Sequence, residues 1–161
     1  MWYFEDDKIW EQYYKILSAQ VGAQFQHMAM VPNPGGAFDC STFPGWCLAE
    51  LGIVKDVSYP HYDSKWYLSH PTLLQETVEK ILRERLIPEL EVIELPLIEV
   101  PMRGDVGLVW TYKKDIPNHC VICLENEKFI HSRWGKGIEI MPYKLSWAQN
   151  KLCKLYRIKR K

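Results

Sequence analysis

Apolar side chains recur at three- and four-residue spacing through the N-terminal half of the chain and give way to short β-branched and aromatic runs in the C-terminal half. This pattern predicts helices first and strands afterwards. Ile9, Tyr13, Ile16 and Leu17 form the first stripe, with Asp6 and Asp7 where a helix N-terminus favours negative charge. A helix is expected over 6–20, stopped before Gly22. The glycines and prolines of "VPNPGG" predict a loop over 22–39. Phe43, Trp46, Cys47, Ala49 and Leu51 give a second stripe in "STFPGWCLAELG", with Gly52 as its C-cap. That helix either starts near Ser41, leaving Pro44 in its first turn, or opens irregularly at Cys40. The clearest amphipathic segment is "TLLQETVEKILRERLI", residues 72–87, capped by Thr72 and closed before Pro88.

From residue 91 the runs "EVIELPLIEV", "DVGLVWTY", "HCVICL", "KFIHSRW", "IEIMPY" and "KLYRI" read as strands separated by turn residues. The fold class is α+β, with N-terminal helices packed on a C-terminal antiparallel sheet arranged as a meander. The 161 residues suit one domain, 1–161, with no length left for a second.

Charge and composition narrow the function classes. Twenty basic residues balance twenty acidic ones, which removes the case for nucleic acid as a partner. The last eight residues, "KLYRIKRK", carry five positive charges and read as a strand with a frayed basic end. The opening "MWYFEDDKIWEQYYKIL" has acidic residues and no apolar run, unlike a signal peptide, and no stretch is long enough to span a membrane. Five cysteines at irregular spacing argue against a disulfide framework and for synthesis in a reducing compartment.

Candidate chemistry begins at "GGAFDCSTFPGWC", where Cys40 stands between a glycine-rich loop and a helical pattern. A cysteine nucleophile needs a lowered pKa, which a helix N-terminus helps to supply, and a base. The ordinary alternative is a small buried apolar residue. His119 opens "HCVICL" and His131 closes "KFIH", with Glu125, Asn126 and Glu127 between them. A three-residue loop pairs Leu124 with Lys128 and sets Val121 opposite His131. His119 and His131 are then diagonal neighbours on one face. A two-residue loop would put them on opposite faces. Asn126 or a neighbour must accept a left-handed conformation. Base beside orienter, with a nucleophile elsewhere, is triad logic. Each histidine alone reads equally as a polar strand residue.

"FDCSTF", "RGDVGLVW" and "NHCVICLENEKFIH" taken together resemble the NlpC/P60 family of papain-like cysteine peptidases. The resemblance covers roughly residues 20–140. It implies Cys40 as nucleophile, His119 as general base and then acid, and His131 as the orienting residue. It further implies substrate contacts by Asp39 and Ser41 beside the nucleophile, and His27 where the family usually has a tyrosine. The implied substrate is a peptidoglycan stem peptide containing D-amino acids, with no metal and no cofactor. "YPHYDSKWYLSHPTLLQETVEKIL" is similar to phage-encoded cell-wall peptidases and tail assembly proteins. This suggests synthesis in a bacterial cytoplasm, action on the cell wall, and either a cellular or a virion- or prophage-tail-associated protein with tail proteins as partners. The chain departs from the family's pattern at Thr42 and Val121, where glycine is usual, and at Pro44.

Other readings remain at this level. Cys120 and Cys123 form a Cys-x-x-Cys, but on a strand they point to opposite faces and do not converge on zinc. Asp39 is also a natural helix cap. A catalytically silent assembly component of a phage tail-like particle, or an acyltransferase or thioesterase, would keep the same fold. Trp46, Trp66, Trp110 and Trp134 either line a groove or fill the core, and His61 and His70 read as surface residues.

Overall fold

The structure is a computed structural model that describes residues 1–144 and 150–161. A short 3-10 turn at Tyr3–Glu5 leads into helix α1, Asp7–Ser18. The Asp6 carboxylate caps α1 by accepting from the N–H groups of Lys8 and Ile9. Trp10, Tyr13 and Leu17 face the core, where the Phe4 ring stacks on Tyr13 at 4.6 Å.

The expected loop over 22–39 holds a small sheet of three two-residue strands: β1 (Gln24–Phe25), β2 (Met30–Val31) and β3 (Ala37–Phe38), in the order β1-β3-β2. Two-residue strands leave no periodicity to read. Helix α2 follows at Thr42–Glu50, so Pro44 lies in the first turn, where its missing N–H is tolerated. A single turn α3, Trp66–Ser69, precedes helix α4, Leu73–Glu84, which buries Leu74, Val78, Ile81 and Leu82. Thr72 stands at the N-cap of α4 without a side-chain cap bond. The helix stops before the expected residue 87 because Leu86 bridges Val54 and the N–H of Ile87 donates to Ile53.

The remaining strands are β4 (Leu90–Glu94), β5 (Val106–Val109), β6 (His119–Cys123), β7 (Lys128–Arg133), β8 (Gly137–Pro142) and β9 (Leu152–Arg160). They form a six-stranded sheet in the order β4-β9-β5-β6-β7-β8. Only β5 to β8 is a meander. The C-terminal strand inserts between β4 and β5, so the basic tail is paired along its length, not frayed. Glu94 takes Lys154 at 2.6 Å, Glu91 takes Lys159 at 3.0 Å, and Asp105 holds the buried Arg157 through two nitrogens at 2.7 and 2.8 Å. The expected strand 91–100 ends at Glu94. Pro96 has no N–H for a ladder, and Ile98 beyond it is 82% exposed.

Even-numbered positions of β6 (Cys120 and Ile122) join the main core with α1, α2 and α4. Val121 joins Val109, Phe129 and Leu152 in a smaller cluster on the other face, the face of His119. The small sheet is fastened to β7 and β8. Gly22 donates to the Ile138 carbonyl, Ile138 donates to that of Ala23, and Ser132 Oγ donates to that of Phe38. Gly137 makes this close approach possible: its φ is +77°, and a Cβ there would lie 2.2 Å from the Ala23 oxygen. No helix among the described residues is long and apolar enough to cross a membrane.

Candidate active site

The turn that presents Cys40 is built by Asp39 and Thr42. Asp39 Oδ1 accepts from the N–H groups of Ser41 and Thr42 at 2.9 and 2.8 Å and from Ser41 Oγ at 3.0 Å. Thr42 Oγ1 accepts in return from the Asp39 N–H at 2.9 Å and donates to the Ala29 carbonyl at 2.6 Å. This reciprocal pairing follows the capping-box pattern and closes the turn that holds Cys40 just before α2. Asp39 Oδ2 accepts from the Met28 N–H at 2.9 Å and from the Tyr62 hydroxyl. At 3% exposure, Asp39 serves as the cap.

Two tyrosines complete the support, and neither was legible from the sequence. The Tyr59 hydroxyl donates to the Ser41 carbonyl at 2.6 Å over Gly45, where a Cβ would lie 2.1 Å from the Tyr59 oxygen. Tyr62 spans Asp39 and Ser41, and its carbonyl meets His27 Nε2 at 2.6 Å while its ring lies edge-on to that imidazole. Burial and the Asp39 carboxylate push the Tyr62 phenol up, so it remains a donor. Their signal, aromatic residues in the punctuated stretch "SYPHYD", names no partner.

The hairpin register is the one that a three-residue loop demands. Ile122 pairs with Ile130, Cys123 with Phe129, and the N–H of Leu124 donates to the Lys128 carbonyl. Asn126 and Glu127 both take positive φ. His119 and His131 therefore share a face, and His119 Nε2 lies 2.7 Å from His131 Nδ1. His131, 5% exposed, turns its Nε2 to Glu139 Oε1 at 3.0 Å. The same oxygen takes Arg133 Nε at 2.8 Å. Glu139 was missed in the sequence because it reads as an ordinary polar position of "IEIMP". Its place opposite His131 is set by the β7–β8 register.

Cys40 lines the same cleft as this pair, and the backbone N–H of Cys120, the residue after His119 on β6, lowers its thiol pKa. The expected lowering by backbone N–H groups is present but does not prevail. The N–H groups of Cys120 and Cys40 do pull it down, but burial and the adjacent Asp39 carboxylate outweigh them and push it up to about 12. Burial, His131 and Arg133 bring His119 down to about 3. Burial also lowers His131, against the pull of Glu139. Both shifts favour the uncharged forms, thiol and neutral imidazole.

Cys40, His119, His131, His27, Asp39 and Ser41 all line one cleft of about 1240 Å³. Trp66 and Trp134 line it as well, whereas Trp46 packs on the core and Trp110 lies under the Lys151 ammonium. His70 pairs with Glu76 on the surface, and His61 is exposed. Cys120 and Cys123 are buried on opposite faces of β6, and the described residues hold no metal-ligating cluster.

A model of the NlpC/P60 family matches residues 22–157. Among solved structures, the chain is similar to NlpC2 from Trichomonas vaginalis, with a TM-score of 0.53 and 15% identity over 93% of this chain and 46% of that one. It is also similar to a protein of Staphylococcus aureus subsp. aureus Mu50 described as similar to lipoprotein, NLP/P60 family. There the TM-score is 0.54 and the identity 19%, over 94% of this chain and 42% of that one. At such identities the likeness speaks for the fold, and the chain spans less than half of either structure's length. A search of curated proteins gave no match. The family match takes in the capped turn at Cys40 and the whole ribbon bearing His119, His131 and Glu139, and the chain belongs to the NlpC/P60 family.

Proposed function

We propose that this chain, as one unit over 1–161, is a cysteine peptidase that hydrolyses peptidoglycan stem peptides. The family generally comprises cell-wall peptidases. The observation that carries the reading is the 2.7 Å contact between His119 and His131 on the wall of the cleft that Cys40 also lines.

Because the thiol rests protonated, the first step is general-base catalysis. Cys40 gives its proton to His119 as sulfur attacks the amide carbonyl, and backbone N–H groups near residue 40 meet the oxyanion. The His119 imidazolium then protonates the leaving amine. Water, deprotonated by His119, attacks the thioester and releases the acid and the thiol. His131 fixes the His119 ring throughout. His27 and Ser41 contact the stem peptide from the cleft wall. Asp39 can hold a substrate ammonium only if the Tyr62 phenol gives way, since both its oxygens are engaged.

Mass analysis of fragments released from peptidoglycans of differing stem chemistry tests the reading. Release lost in Cys40→Ala and His119→Ala, and reduced in His131→Ala, is expected; full release by Cys40→Ala ends it. Two observations favour other readings. The protonated resting thiol suits a catalytically silent component of a phage tail-like particle, which would release nothing and co-purify with tail proteins. The apolar end of the cleft, at Val109, Val121 and Met141, suits an acyl group, and turnover of a thioester without release of stem peptides would favour an acyltransferase or thioesterase.

A further inference from the structure

We propose that Glu139 is a positioning residue that fixes the tautomers of both site histidines, leaving Nδ1 of His119 as the bare nitrogen that takes the Cys40 proton. Only that last consequence rests on the peptidase reading.

Donors and acceptors decide the arrangement. An ionised carboxylate only accepts hydrogen bonds, and a neutral imidazole has one N–H and one lone pair. Arg133 Nε lies 2.8 Å from Glu139 Oε1 and forms an ion pair with it. His131 Nε2, 3.0 Å from the same oxygen, must therefore carry the proton, which leaves its Nδ1 bare. His119 Nε2, 2.7 Å from that Nδ1, must in turn donate. The proton of His119 is then spent on Nε2, and Nδ1 holds the lone pair. Of the combinations open to two neutral imidazoles, the carboxylate permits one. When the S–H bond of Cys40 breaks and the Nδ1–H bond of His119 forms, the positive charge on His119 faces a lone pair backed by Glu139. The register enforces the arrangement, because β8 sets Glu139 directly across from His131.

The test is long-range nitrogen-15 NMR on the full chain with labelled histidines, the signals assigned through single His→Asn variants. Near neutral pH both His119 and His131 should be Nε2–H tautomers. Glu139→Leu should give mixed tautomers at both rings and lower kcat at least tenfold, with KM changed less than about twofold. Glu139→Gln keeps an accepting oxygen for Arg133 and His131, so it should retain the tautomers and recover most of kcat. An Nδ1–H His119 in the wild-type chain would overturn the proposal, and so would unchanged tautomers in Glu139→Leu. If Glu139→Leu does not fold, the wild-type and Glu139→Gln spectra still decide. Nε2–H tautomers in a chain that releases no stem peptide would sink the peptidase reading and leave the relay standing. Stem-peptide release with mixed wild-type tautomers would do the reverse.

Discussion

The substitution Asp39→Asn separates a capping role from a substrate-holding one. The carboxylate accepts five hydrogen bonds: three on Oδ1, from two helix N–H groups and the Ser41 hydroxyl, and two on Oδ2, from Met28 and Tyr62. If the introduced amide keeps its oxygen toward the helix, its NH₂ faces the Met28 N–H and the Tyr62 hydroxyl. The hydroxyl can turn and accept, but the Met28 N–H cannot, and an orphaned donor costs about 1–3 kcal/mol. Loss of charge weakens the three surviving bonds, while a buried carboxylate's desolvation is relieved. The net expectation is a loss of about 2–3 kcal/mol, or roughly 4–12 °C in Tm for a chain of this size. The same change removes a charge that raises the Cys40 thiol pKa, so iodoacetamide should alkylate Cys40 faster at neutral pH. Calorimetry and timed alkylation read the two effects. A Tm held within about 2 °C, with unchanged alkylation, would refute the capping argument. If KM for a stem peptide rose in that same variant, Asp39 would be a substrate contact.

Titration and packing supply the other tests. His119, brought down to about 3 from 6.5, stays neutral in the fold while the unfolded chain protonates, so stability falls as pH drops below about 6.5. At pH 5 this one group costs about 2 kcal/mol, and urea titrations at pH 7 and 5 should show a smaller difference in His119→Asn; an equal difference in the two proteins would count against it. With its pKa near 12, the Cys40 thiol should be alkylated about tenfold faster per pH unit between pH 6 and 9, whereas a fast plateau already present at pH 6 and abolished by His119→Asn would mean a preformed ion pair. Gly137→Ala puts a Cβ 2.2 Å from the Ala23 oxygen at a φ of +77° and should cost about 3 kcal/mol by denaturation, with faster proteolysis within 22–39; an unchanged midpoint would refute the close approach.

Where the sequence carries a period, the fold was readable from it. Tyr13 and Leu17 of the first stripe are buried, with Ile9 and Ile16 half-buried beside them, and α4 likewise buries Leu74, Val78, Ile81 and Leu82 at helical spacing, although the buried Trp10 lay outside the expected stripe. The register of the β6–β7 hairpin followed from the parity of a three-residue loop, with Asn126 and Glu127 supplying the left-handed turn. The insertion of β9 between β4 and β5 was not readable, since strand order depends on which edges find partners in space. Nor did five positive charges betray that Asp105, Glu91 and Glu94 lie beside them. At the site, Cys40, His119 and His131 stood out through their types and spacing. Glu139, Tyr59 and Tyr62 did not, because their roles arise only from side chains that the fold brings to them.

The fastening of the small sheet to β7 and β8 bears on precision. The loop delivering Cys40 hangs from Ile138 and Ser132 through Ala23, Gly22 and Phe38, and His131 and Glu139 stand on those same two strands. The proposed nucleophile and the His131–Glu139 pair thus hang from one beam. When that ribbon flexes, the turn before α2 and the His131–Glu139 pair are carried along together, because both are fastened to it.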